Sequence, residues 1–273
     1  MQPSSAPVRI CCAQISSVWE EPQKTLEKAA FFIRHAAVSG ASLICFPEQF
    51  ATGWDPESGR NIQDINGNIV SGLRKLAGQN RIGILGSFRQ GGGGKPRNTA
   101  IVIDREGRIS ATYSKIHLFS PAHEQAGYDP GNELGLFTLG PLCCGIAICY
   151  DLRFPELFRL YAGRGAHVVF IPAAWPAQRL KHWELFITAR AAENQMYVVG
   201  VNTIGSNPVD RYAGGSMAAD PYGTVITRAN DAEQLVFSDI DPAVVDAARR
   251  QFPVEKDRKE ALYRLLSPDT RAK

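Results

Sequence analysis

Leu142-Cys143-Cys144-Gly145-Ile146-Ala147-Ile148-Cys149-Tyr150-Asp151-Leu152-Arg153-Phe154-Pro155-Glu156 is a short apolar run that stops at a cysteine and turns at once into charge. A buried strand ends this way when it delivers one side chain to the rim of a sheet. Cys149 there suits a nucleophile, because the thiolate is the reactive form and a neighbouring base can take the thiol proton. The same pattern suits a buried structural cysteine, since free cysteine is among the most buried residue types. The stretch alone leaves both readings open.

Working outward, the run is followed by a helix pattern over 154–162 and a second apolar run over 167–172, a β-α-β unit. An earlier unit has the same form. A strand over 8–15 leads to a helix opened by Glu21-Pro22, with Leu26, Ala29, Ala30, Ile33 and Ala37 at helical spacing, and a second strand over 43–46. Parallel strands joined by crossover helices end on one edge, where open α/β sheets place ligands. Further strands are expected over 82–88, 98–104, 109–114, 134–139, 197–203, 214–220, 224–227 and 234–239. Helices are expected over 69–77, from 177 onward, over 241–249 and over 258–266. The fold class is therefore α/β, with two similar halves. Gly91-Gly92-Gly93-Gly94-Lys95 precedes Pro96 where a phosphate loop needs Ser or Thr and a helix start, so it reads as a hairpin tip.

Glu48 follows the strand over 43–46, and Lys115 follows the strand over 109–114 among apolar and aromatic neighbours. Acid, amine and thiol thus each follow a strand. A buried glutamate–lysine ion pair is the plain alternative; a thiol within reach of both would turn the pair into a base and an electrostatic clamp.

Phe46-Pro47-Glu48, Lys115-Ile116-His117-Leu118-Phe119 and Cys149-Tyr150-Asp151-Leu152-Arg153-Phe154-Pro155-Glu156 together resemble the three signatures of the nitrilase, or carbon–nitrogen hydrolase, superfamily. His182-Trp183-Glu184-Leu185, Arg190-Ala191-Ala192-Glu193-Asn194-Gln195 and Asp220-Pro221-Tyr222-Gly223 extend the likeness over residues 8–265, and the chain is most similar to the omega-amidase branch. The resemblance implies a four-layer αββα sandwich formed by a single domain over 1–273. It also implies a C-terminal arm, about 241–273, packing on a partner subunit in a homodimer or higher homo-oligomer. It further implies a Glu48-Lys115-Cys149 triad that cleaves a non-peptide C–N bond through a thioester, without metal or other cofactor. Glu124 matches a second glutamate of the family that lines the site; its own setting would otherwise suggest a solvated loop charge. The expected substrate is a small carboxylated amide, cleaved with release of ammonia. The alternatives are an N-carbamoyl amidohydrolase, a nitrilase proper, or a catalytically silent dimeric binding module.

Around the triad, the Tyr150 N–H is expected to help hold the oxyanion, Trp175 to form a wall and Arg179 to read a substrate carboxylate. Arg153 could bind a carboxylate or could pair with an acid to hold its turn; the second, structural role is the favoured reading. Of the five histidines, His35, His167 and His182 fall on helices or a core strand, His123 lies in the polar loop, and His117, two residues from Lys115, is the candidate for a cysteine–histidine dyad. Neither a Gly-x-Ser-x-Gly elbow nor a His-Glu-x-x-His helix occurs.

Composition bounds the rest. A net charge of +3 with scattered basic residues offers no footprint for nucleic acid. The first residues lack a signal-peptide pattern and no apolar run is long enough for a bilayer, so the expected location is cytoplasmic with no membrane partner. Six cysteines, mostly inside apolar runs and without metal-ligand spacing, read as reduced thiols.

Overall fold

Val8–Gln14 forms β1, and its two faces go to different layers: Cys12 points into the core between the sheets and Cys11 into the core beneath the helices. The computed structural model describes residues 6–266. Pro22–Val38 is α1; Pro22 supplies a preset φ where a helix start leaves N–H groups unpaired anyway, and Thr25, Ala29, Ile33 and Ala36 form its buried stripe. Then come β2 (Leu43–Cys45), α2 (Asn68–Asn80), β3 (Gly83–Gln90), β4 (Arg97–Ile103), β5 (Ile109–Ser114) and the single turn α3 (Glu124–Gly127). The second half holds β6 (Gly135–Leu139), β7 (Leu142–Ile146), α4 (Pro155–Gly163), β8 (Val168–Ala173), α5 (Leu180–Asn194) and β9 (Tyr197–Asn202). A small hairpin, β10 (Ile204–Ser206) and β11 (Arg211–Ala213), precedes β12 (Met217–Ala219), β13 (Val225–Arg228) and β14 (Gln234–Ile240). The chain ends in α6 (Pro242–Gln251), α7 (Val254–Asp257) and α8 (Glu260–Leu266).

Two six-stranded sheets result, ordered β14-β1-β2-β3-β4-β5 and β6-β7-β8-β9-β12-β13. Taken in that order, both show one antiparallel pairing, two parallel pairings and two antiparallel pairings. The two halves expected from sequence are thus equivalent strand for strand. Ile10, Cys45, Leu85 and Val102 of the first sheet meet Phe137, Ile146 and Phe170 of the second in one continuous core. Ile33 and Ala36 of α1 and Leu73 and Ala77 of α2 cover the outer face of the first sheet. On the outer face of the second, α4 and α5 lie so close that a Cβ at Gly145 would stand 2.7 Å from the Tyr161 ring and one at Gly200 2.4 Å from Trp183. Glycine is required at both positions for that approach. The architecture is the four-layer αββα sandwich.

Departures from the sequence expectation are local. The run expected to reach Ile148 pairs only to Ile146, and β10 and β11 were not expected at all. Three-residue strands in a stretch holding Gly205, Asn207 and Pro208 carry too little alternation to register. Gly91–Gly94 lies at the β3–β4 hairpin. Of the expected arm, α6 to α8 are described and leave Phe252, Leu262, Leu265 and Leu266 exposed, while residues 267–273 lie outside the described residues. Among the described residues no helix is long and apolar enough to cross a membrane.

Candidate active site

β2, β5, β7 and β8 end on the same edge, and the residues that follow them meet there. Glu48 lies three residues beyond β2 and is followed by Gln49 at φ +46°. That turn is held from below: the buried Arg89 guanidinium donates to Gln49 Oε1 at 2.9 Å and Gly53 O at 2.8 Å, and pairs with Glu20 at 2.7 Å. The Ser87 hydroxyl accepts the Gln49 N–H at 2.7 Å.

Cys149 opens a 3₁₀ turn, Cys149–Arg153, with φ +43°, a conformation disfavoured for a residue with a Cβ. Asp151 holds this turn in place. Fully buried, it accepts from the Ile148 N–H at 2.8 Å, the Tyr113 hydroxyl at 2.8 Å and the His117 N–H at 2.9 Å, and its Oδ1 lies 2.8 Å from His117 Nδ1. One carboxylate thereby ties the cysteine turn to the segment that carries Lys115. His117, the candidate for a cysteine–histidine dyad, is engaged by Asp151 and stacked on Phe154 at 3.7 Å.

Lys115 Nζ lies 2.8 Å from Glu48 Oε1 and 2.9 Å from Glu124 Oε2, all three side chains at most 1 % exposed. Asn98 Nδ2 donates to Glu48 Oε1 at 2.7 Å and the Ala174 N–H to Oε2 at 3.0 Å. Glu124 accepts from the Phe119 N–H at 2.6 Å and Trp54 Nε1 at 3.3 Å. Cys149 lines one cavity wall with Glu48 and Ala174, and both bear on its thiol.

The electrostatics follow from this enclosure. Burial pushes the Glu48 carboxyl above its ordinary range, opposed by the Lys115 charge and reinforced by Glu124. Burial, with Glu48 beside it, raises the Cys149 thiol well above its usual value, against the pull of Lys115. For Lys115 burial is the largest influence and would lower it, but Glu124 and Glu48 outweigh it and hold the ammonium charged. The resting site is therefore an ammonium held between two buried acidic side chains, next to a thiol whose burial favours its protonated form.

Glu48, Lys115 and Cys149 line a cavity of about 170 Å³ together with Tyr150, Trp175 and Arg179. Glu124 stands behind Lys115 rather than in the wall. Trp175 Nε1 donates to Arg179 O at 2.8 Å, which fixes the indole as a wall. Arg153 requires a correction. It does not pair with an acid to hold its turn, because Asp151 is saturated by other donors. Its guanidinium instead lies 4.9 Å from the Trp175 ring centroid and 5.2 Å from that of Phe186, and lines the cavity. Arg179 lies 5.3 Å from the Phe119 ring centroid. Neither guanidinium forms an ion pair among the described residues.

Sequence reasoning missed Asn98, the Ala174 N–H and Trp54. Asn98, a polar residue at a buried position of a strand, was the one visible signal; the other two emerge only when β8 and the 48–54 turn meet. No group of three or more metal-ligating side chains occurs among the described residues.

Residues 9–250 match the family model described as carbon-nitrogen hydrolase. The chain belongs to the carbon-nitrogen hydrolase family. It is 36% identical to the 2-oxoglutaramate amidase of Bacillus subtilis (strain 168), over 93% of this chain and 98% of that one. It is 33% identical to the omega-amidase NIT2 of Homo sapiens, over 92% and 94%. Among solved structures, a CN-hydrolase superfamily protein from Xanthomonas campestris with an arsenic adduct in the active site superposes with a TM-score of 0.88 at 27% identity, covering 93% of this chain and 98% of that one. A mutant amidase from Nesterenkonia sp. AN1, showing covalent addition of the acetamide moiety of fluoroacetamide at the active site cysteine, gives 0.84 at 25%, covering 97% and 99%. As a carbon-nitrogen hydrolase of the amidase kind, the chain is an enzyme, and the edge where β2, β5, β7 and β8 end is its candidate active site.

Proposed function

We propose that this amidase cleaves the terminal amide of a short carboxylated amide, 2-oxoglutaramate or a close analogue, through a thioester on Cys149. The observation that carries the substrate class is the pair of guanidinium groups, Arg153 and Arg179, in the cavity that holds Cys149: Glu48 and Asp210 also line it, but Glu48 is paired with Lys115 and neither guanidinium is ion-paired among the described residues. A carboxylate is what such a pair binds best, by charge-assisted and bidentate hydrogen bonds. The small volume selects a short chain, and the names of the amidase relatives agree with that class.

In the proposed reaction Glu48 takes the Cys149 proton as sulfur attacks the amide carbon. Charge on the carbonyl oxygen develops against Lys115 and the Tyr150 N–H, groups already in place before reaction. Glu48 then gives its proton to the departing ammonia. Water adds to the thioester with the same glutamate as base, and the acid product leaves. Glu124, which receives the Phe119 and Trp54 N–H groups, positions Lys115.

The test is ammonia release from 2-oxoglutaramate and succinamate beside uncharged butyramide, with ureido acids and nitriles as further arms. The carboxylated amides are expected to be preferred, and Arg179→Met to lower kcat/KM for succinamate by about 10–100-fold, as loss of a charged hydrogen bond implies. Butyramide turnover should change little. Preference for ureido acids or nitriles would remove the substrate assignment.

The homodimer belongs to the same proposal. Leu160 on α4, Leu185 on α5 and the apolar side chains of the arm are exposed in the single chain, and a second copy would cover them. Light scattering that gave only the monomer mass would rule this out.

A further inference from the structure

Glu48 and Trp54 line a second cavity behind the first, and they are the only residues common to both. Its volume is about 20 Å³, room for a water molecule and too little for the substrate. Its remaining wall includes Ser17, Ser206, Asn207 and Tyr212, and Ser206 at its rim is exposed. The substrate cavity and this one thus approach the same carboxylate from different parts of the surface.

Tyr212 is the informative member of the wall. It is 4 % exposed and packed with Trp54 and Ala174, and its hydroxyl has only the Asn207 side chain beside it, without a hydrogen bond of good geometry. A buried hydroxyl without a partner is costly unless something occupies the space it faces. Tyr212 lines the same small cavity as Glu48. The hydroxyl is also close enough to Glu48 and Cys149 that, after burial and Asp210, negative charge on either opposes its ionisation.

We propose that the rear cavity is a water port, in which the Tyr212 hydroxyl seats the water that Glu48 uses to hydrolyse the acyl-enzyme. The proposal rests on the thioester reading above. Once the acyl group is on Cys149, with its carboxylate on Arg153 and Arg179, the front cavity is filled and water has no route through it. The rear cavity remains open and admits only a small neutral hydrogen-bonding molecule. The seated water passes Glu48 and its oxygen bonds to the acyl carbon as one of its protons goes to Glu48. The carbon–sulfur bond then breaks, sulfur keeps the electron pair and recovers the proton from Glu48, and the carboxylic acid is released. Acylation does not draw on the port.

Tyr212→Phe removes the hydroxyl and keeps the ring; Ser17→Leu fills the cavity from its other wall. With succinamate, rapid quench and intact-mass measurement should show ammonia release in the first turnover at the wild-type rate. Decay of the acyl-enzyme should be slowed about tenfold, the effect of one lost hydrogen bond to a reacting group. In the steady state kcat and KM should fall together, leaving kcat/KM unchanged, because kcat/KM reports only steps up to ammonia release. Acyl-enzyme decay at the wild-type rate in both variants overturns the port and leaves the thioester in place. So does an equal loss of the first-turnover and decay rates. Absence of any acyl adduct on Cys149, in wild type and variants alike, overturns the thioester and the port with it.

Discussion

Cys149→Ala is expected to lower turnover by about 10⁵-fold or more, as removal of a catalytic nucleophile does elsewhere, with the fold retained. The sulfur makes little contribution to packing that alanine would lose, since the turn is held by Asp151 through the Tyr113 hydroxyl and the Ile148 and His117 N–H groups. The control is built into the strands. Cys45 and Cys144 are fully buried in the core between the sheets and do not line the cavity, and alanine at either should leave kcat close to wild type at a small cost in stability. Ammonia release and circular dichroism decide the outcome. Residual activity in Cys149→Ala comparable to that of Cys45→Ala would mean that another group is the nucleophile.

Lys115→Met should act on both rate and stability. Loss of one preorganised donor to the oxyanion costs on the order of 10²–10³ in kcat. The stability effect comes from the carboxylates left behind. Glu48 and Glu124 lose the cation between them at a site where all three side chains are essentially inaccessible, and breaking such a buried pair costs about 3–5 kcal/mol. The sign with pH follows. Glu48 is already pushed up by burial, with Lys115 holding it down, so removing Lys115 raises it further. A carboxyl whose pKa is raised in the folded state binds its proton more tightly there than in the unfolded chain, so its stability contribution is present at acid pH and is lost as pH rises. Lys115→Met should therefore be closest to wild type in mildly acidic urea titrations and furthest from it at neutral pH. A destabilisation independent of pH would show that the lysine packs as an apolar stem and does not neutralise the two acids.

The same pair of acids shows how much of the site was legible in the chain. Glu48, Lys115 and Cys149 each follow a strand of a β-α-β unit or of its antiparallel extension, and strand direction alone brings such residues to one edge. Glu124 did not have this support. It lies in a polar segment that reads as solvated loop, and only the family resemblance placed it in the site. In the structure it is fully buried in α3, because the backbone N–H of Phe119 and the ammonium of Lys115 compensate its charge. For Arg153 the favoured of two readings, the brace, failed and the carboxylate-binding one stayed open. Asp151 is the acid nearest in sequence, but Tyr113 and His117, distant in sequence, occupy that carboxylate, and the guanidinium lines the cavity.

What the sequence by itself determined is whatever rests on local periodicity and chain direction: the strands β1, β2, β7 and β8, their crossover helices, and the three charged or nucleophilic residues just beyond strand ends. Tertiary structure decided which donors satisfy each buried charge. It set Asn98 and the Ala174 N–H on Glu48, brought Trp54 to Glu124, and folded the unanticipated β10–β11 hairpin so that Tyr212 faces the rear of the site. The physical reason is that hydrophobic spacing is recorded along the chain, whereas the partner of a buried polar atom is chosen by whichever segments meet once the sheets have packed.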